Sequence, residues 1–102
     1  MVNPVYKLNL LLRLDQQQAL EYCKKMGSLA SMHAFEITRS ITNEPGRLPG
    51  LYEFAVECLK VYEGVPRSEL ELSALGTAYF YLGQQDKALA VLREGVEMSK
   101  TT

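Results

Sequence analysis

Charge clusters, long apolar runs and metal-binding residue types are all scarce in this sequence, and each shortage excludes a class of function. No run of Lys or Arg is longer than Lys24-Lys25, and the formal net charge is −1. Binding to a nucleic-acid backbone needs clustered positive charge to displace counterions, so a nucleic-acid partner is not expected. Uncharged apolar runs such as Leu10-Leu11-Leu12 are far short of a membrane span, so no membrane partner is expected either. The N-terminus lacks the charged, apolar and small-residue segments of a secretory signal, and the expected compartment is the cytoplasm.

Histidine occurs once, at His33, with Glu36 as the one carboxylate at metal spacing on its helix. One His and one Glu are too few for a metal site. The two cysteines, Cys23 and Cys58, each fall on the apolar side of an expected helix and read as buried reduced thiols. Glu53 and Glu57 share a helix face, but no second carboxylate pair stands opposite, so a solvated face is the reading. There is no Cys-x-x-Cys, no nucleophile elbow and no Gly-rich phosphate loop. Catalytic, cofactor and metal residues are therefore all expected to be none, and the chain is not expected to be an enzyme.

What is present is helical periodicity. At 102 residues the chain has the length of a single domain, and 47% hydrophobic residues suit a globular core. Asn3-Pro4 is a helix start, with Asn as N-cap and Pro in the first turn. Val5, Leu8, Leu11 and Leu12 follow at helical spacing. Around Asp15 the chain either turns tightly or runs on as one helix to Met26. Gly27-Ser28 marks a stop and a restart, and the next helix is expected over 29–41. Residues 42–50 hold two Pro and two Gly and read as the longest loop.

A helix over 51–63 carries Leu51, Phe54, Ala55, Cys58, Leu59 and Tyr62, and Gly64-Val65-Pro66 ends it. Ser68 and Glu71 form a capping box. They open a helix whose core positions are Leu72, Leu75, Tyr79 and Leu82. The last helix starts near Gln85 with Ala88, Leu89, Leu92 and Val96. No stretch alternates like a strand, so the expected fold class is all-α, with about five to six helices.

The chain also repeats itself. Gly83 falls on Gly50, Ala88 on Ala55 and Leu92 on Leu59, each pair 33 positions apart. A third, weaker copy places Leu14 on Leu82 and Ala19 on Ala88. A period in the low thirties with helix–turn–helix units implies stacked antiparallel hairpins in one domain spanning 1–102. The units are about 4–27, 28–66 and 68–99, the last being the best preserved.

That last unit resembles a tetratricopeptide repeat. Leu75-Gly76 with Tyr79, then Gly83, Ala88, Leu92 and Gly95, match its pattern in register. The earlier units depart from it: one period back, Thr42-Asn43 stand where Leu-Gly belongs. The resemblance implies a superhelix whose first helices line a concave groove. It places Leu70, Ser73, Thr77, Phe80 and Tyr81 at partner-binding positions. Phe80 and Tyr81 lie off the core stripe, with packing on Ile37 and Ile41 as the competing reading.

Such groove positions in repeats that grip acidic chaperone tails are Lys, Arg and Asn. Here they are Leu, Ser, Ala74 and Thr, which suits a helical or extended apolar segment of a protein partner. The size and repeat type are similar to those of the small tetratricopeptide-like chaperones of type III secretion, which hold export subunits. The expected function is a protein–protein interaction module, with such a chaperone as its particular form. The alternative is an adaptor that assembles into a homo-oligomer through Leu89, Val91 and Val96 on an uncapped last helix.

Overall fold

The structure, a computed structural model, describes residues 3–60 and 68–100. Among the described residues there are seven helices and no strand, so the chain is all-α. The helices are α1 Pro4–Leu14, α2 Gln16–Lys25, α3 Ser28–Met32, α4 Ala34–Thr42, α5 Pro49–Lys60, α6 Glu69–Tyr81 and α7 Gln85–Lys100. The expected stop at Gly64-Val65-Pro66 lies outside the described residues.

Local capping chemistry sets most of these boundaries. Asn3 Oδ1 accepts from the Val5 N–H at 2.9 Å, with Pro4 as the first helical residue. Asp15 resolves the ambiguity near the N-terminus by breaking the helix. Its extended backbone ends α1, its N–H donates to the Leu11 carbonyl, and its carboxylate accepts from the Gln17 and Gln18 N–H groups. Two helix ends meet on one residue because a carboxylate is a strong N-cap acceptor. Gly27, at φ 58°, makes the reversal after α2, and Ser68 Oγ caps α6 by accepting from the Glu71 N–H.

Two boundaries differ from expectation. The single helix over 29–41 is broken at His33 into α3 and α4, which raises the count from six to seven. The apolar residues of that stretch do not share one stripe. Ala34, Ile37, Thr38 and Ile41 are buried at i, i+3, i+4 and i+7, whereas Met32 stays exposed. A change of direction at His33 brings the second set to the core. The loop over 42–50 also ends early, because Pro49 is the first residue of α5, where a missing N–H and a fixed φ cost nothing.

The loop between α4 and α5 is held by a few side chains. The Arg47 side chain is only 8% exposed; its Nε donates to the Ile41 carbonyl at 3.1 Å and its Nη2 to the Ser40 carbonyl at 3.2 Å. It therefore caps the carbonyl end of α4. Tyr52 Oη donates to the Glu44 carbonyl and accepts from the Arg47 N–H, and Gln16 Oε1 accepts from the Leu48 N–H at 2.7 Å. Arg47→Ala should therefore destabilise the fold by about 2 kcal/mol in chemical denaturation, since charged donors to buried carbonyls are lost. Arg47→Lys should recover less than half, because a single ammonium cannot reproduce the guanidinium fork.

The core is built around α4, which packs against α1, α5 and α6. Leu8 and Leu12 of α1, Ala19 and Cys23 of α2, Ile37 and Ile41 of α4, Leu51, Ala55 and Leu59 of α5, and Leu75 and Ala78 of α6 form one buried cluster. Ala55 and Ala88, paired in the repeat alignment, are both buried, but Gly50 and Gly83 do different work. Gly83, at φ 77°, makes the turn between α6 and α7. Gly50 lies in the first turn of α5, where a Cβ would come within 2.9 Å of Leu20 Cδ2.

Candidate protein-docking surface

Helix α6 reads Glu-Leu-Glu-Leu-Ser-Ala-Leu-Gly-Thr-Ala-Tyr-Phe-Tyr, with apolar residues on every side. Leu72, Ala74, Leu75 and Ala78 are buried, and Tyr79 and Leu82 pack partly buried against the core. The remaining side carries Leu70, Ser73, Thr77 and Phe80, at i, i+3, i+7 and i+10. Leu70 is 62% exposed and Phe80 58%, too much for structural packing to account for them. Ser73 is exposed, and Thr77 is half-buried, its Oγ1 donating to the Ser73 carbonyl at 2.8 Å.

Four of the five expected binding residues thus share a strip, and Tyr81 does not belong to it. Tyr81 is half-buried, with its ring centroid 5.0 Å from that of Tyr52 on α5. It packs against the core cluster that holds Ile37 and Ile41, as the competing expectation had it, and Tyr52 is its ring partner there. Ile37 and Ile41 are fully buried, and α5 presents Tyr52 to α6. Tyr81 helps to hold α6 on α5, while its ring still touches Phe80 at 5.9 Å between centroids.

Helix α7 supplies the other half of the surface, of which sequence reasoning named Leu89 and Val96 for self-assembly and missed Leu92. Of its sixteen residues only Ala88 is buried. Leu89, Leu92 and Val96 are 51%, 39% and 54% exposed, at i, i+3 and i+7. Val91, grouped with them in the oligomer expectation, instead turns inward and packs on the core, about half a turn round the helix from Leu89.

The two strips join through a glycine. A Cβ on Gly76 would come 2.6 Å from Leu92 Cδ2, and a Cβ on Gly95 3.6 Å from Leu72 Cβ. Without a side chain at Gly76, Leu92 settles onto α6 between Ser73 and Phe80, which lie one turn to either side. Leu70, Ser73 and Phe80 on α6 and Leu89, Leu92 and Val96 on α7 therefore make one apolar face across the hairpin. Glu69 borders it on α6, and helical spacing places Arg93 and Lys100 along its edge on α7. Lys100 Nζ bonds Glu97 at 3.3 Å, an exposed pair that rearranges at little cost.

A second exposed strip, Tyr6, Leu10 and Leu14, runs along α1. The residues considered for chemistry are scattered. His33 Nδ1 lies 3.9 Å from a Glu36 carboxylate oxygen, and Glu57 is paired with Lys60 at 3.1 Å. Among the described residues no three His, Cys, Asp or Glu side chains come together as metal ligands. Also among them, no helix is long and apolar enough to cross a membrane.

Cys23 and Cys58 are both free and buried. Burial, and then the neighbouring Cys58, push the Cys23 thiol up from 9.0 to about 12. Burial, and then Glu57, push Cys58 up from 9.0 to about 11. The fold holds these protons where the unfolded chain releases them. The stability the thiols confer is therefore complete below pH 9 and is lost as pH rises through 11 to 12. In urea titrations the stability difference between wild type and Cys23→Ala/Cys58→Ala should shrink steadily above pH 9; a difference independent of pH would contradict this.

An all-α chain with an uncovered apolar face on its last hairpin is the class that fold and surface define. No family model, curated protein or solved structure matches the chain.

Proposed function

We propose that this protein is a protein–protein interaction module whose α6–α7 face buries an apolar or amphipathic segment of a partner. The observation that carries the reading is the pair Leu70 and Phe80, exposed on a helix that is apolar all round. A helix of that kind is normally covered on every side. Large apolar side chains gathered in one patch are the usual anchors of an interface.

Mechanism follows from burial alone. The partner's apolar side chains leave water against Phe80 and Leu70, Ser73 lets its backbone approach, and no bond is made or broken. The reading gives the protein no catalytic role. It places the module in the cytoplasm, in keeping with two free buried thiols. Its most particular form is a small tetratricopeptide-like chaperone that shields an export or assembly subunit. That form draws its support from the repeat positions Leu75, Gly76, Tyr79, Gly83, Ala88, Leu92 and Gly95.

The exposed strip on α7 favours self-assembly as a second reading. Wild type and Leu70→Glu, tagged and purified from the native host, test the docking surface. The wild type should retain a stoichiometric partner polypeptide, or a second copy of itself, and the variant should lose it with its far-ultraviolet circular dichroism unchanged. Retention by the variant would rule the surface out.

A further inference from the structure

We infer that the segment covering this face is the α6–α7 hairpin of a second copy of the chain. The two copies are related by a two-fold axis parallel to the helices, so that α6 of each lies antiparallel on α7 of the other. The inference rests on the reading of this face as a protein-docking surface, and names its occupant.

Extent is the first argument. Leu70, Phe80, Leu89, Leu92 and Val96 are each between 39% and 62% exposed. Together they leave on the order of 400 Å² of apolar surface uncovered on one side, the size at which a patch marks an interaction site. Two such faces with their polar borders bury roughly 1,200 Å² in total, the lower limit of stable interfaces. Shape follows from the same residues. Ser73 is a small position on α6 between the larger Leu70 and Phe80, and the α7 strip offers Leu92 and Val96 to fill it.

Charge selects the arrangement. The contacts of Gly76 with Leu92 and of Gly95 with Leu72 set the levels of the two helices. In that register Glu69 stands level with the end of α7 at Lys100, and Phe80 level with Leu89. A two-fold axis parallel to the helices preserves level and exchanges the two helices. It therefore sets Phe80 against Leu89 of the second copy, and Glu69 against Lys100 of the second copy, each contact twice. The N-terminus of α6, with Glu69 and Glu71, also lies on the C-terminus of α7, the favourable sense for both helix dipoles. A two-fold axis perpendicular to the helices would instead lay α7 on α7. It would bring Arg93, at the middle of the face, against its own copy near the axis, and leave Glu69 without an opposite charge.

Sedimentation equilibrium of the full chain from 1 to 500 µM tests this directly. The expected mass approaches twice 11.5 kDa as concentration rises. Phe80→Glu should weaken association at least 100-fold with unchanged helicity. Glu69→Lys and Lys100→Glu should each weaken it about 5-fold, since each removes two surface pairs, and the double variant should return to within about 2-fold of wild type. A wild-type monomer at every concentration, or a double variant no better than the singles, would overturn the second-copy arrangement. The docking surface itself would then still be decided by the Leu70→Glu co-purification. A dimer indifferent to Phe80→Glu would likewise overturn it and leave the docking surface to the same co-purification.

Discussion

Phe80→Glu should abolish partner association and leave the fold nearly untouched. Phe80 sits on the outer side of α6, more than half exposed, and among the described residues its ring contact is with Tyr81. Removing that contact costs about 0.5 kcal/mol, and Glu is the better helix former, by a few tenths of a kcal/mol. The melting temperature should therefore move by less than about 3 °C. In the complex the arithmetic is different. Burial of the ring is worth about 2 kcal/mol, and a carboxylate driven into an apolar contact costs about 2 kcal/mol more even with partial solvation. Their sum, about 4 kcal/mol, corresponds to a loss of affinity near 1,000-fold. Sedimentation or calorimetric titration of wild type against variant, with a thermal melt of each, separates the two effects. Tyr81→Ala should do the reverse and lower the melting temperature, because its ring packs on Tyr52.

Ile37→Ala should be the most damaging single truncation in the fold. Ile37 is fully buried on α4, the helix that packs against α1, α5 and α6. A cavity at such a junction cannot close by moving one neighbour, so about 3–4 kcal/mol should be lost. That is a large part of the roughly 5–10 kcal/mol a chain of this size has available. Urea denaturation should show a lower midpoint with little change in slope. Next to it, Thr38→Val should cost only about 1 kcal/mol. Thr38 Oγ1 donates to the Ala34 carbonyl at 2.8 Å and approaches the Ala55 carbonyl at 3.2 Å, and both are helix carbonyls with backbone partners of their own. Leu10→Ala, on an exposed strip, should fall within about 0.5 kcal/mol of wild type. A core in which Ile37 and Leu10 cost the same would contradict the packing described.

Capping chemistry was legible in the sequence because it is local. Asn3-Pro4, Gly27, Ser68 and Gly83 each satisfy or reverse a backbone within three or four residues, and each ends or begins a helix in the structure. The break at His33 was not legible: no Gly or Pro marks it. It arises because the two pieces meet the core differently, Ala34, Ile37 and Ile41 inside it and Leu29 and Ala30 packed partly buried against it, which is a tertiary demand. Pro49 was misplaced for a related reason, since Pro ends helices from within and begins them at the first position, and only the position of α5 decides between these.

Much the same division runs through the docking surface. Leu70, Ser73, Thr77 and Phe80 were implied by the repeat resemblance, and the core stripe also left Phe80 outside it. The inward packing of Tyr81 could not be read, because its neighbour in sequence is exposed and its partner, Tyr52, is distant in the chain. Leu89 and Val96 were named for self-assembly together with Val91, which turns inward, while Leu92 was named only as one of the apolar residues of the last helix. Leu89, Leu92 and Val96 are exposed because α6 covers only part of α7's apolar circumference, which extends round to Ala88, Val91, Gly95 and Met98. That apolar arc spans half the helix and was the available signal; the number of neighbours that cover it is a property of the fold.

Site-specific photo-crosslinking tests the central claim, that the α6–α7 face is where this protein docks. A benzophenone side chain is placed at position 80, at position 89 and, as a control, at position 24, where exposed Lys24 lies on α2. Irradiation in the native host should give covalent protein adducts from positions 80 and 89 and none from position 24. Adducts from position 24 with none from 80 or 89 would contradict the account.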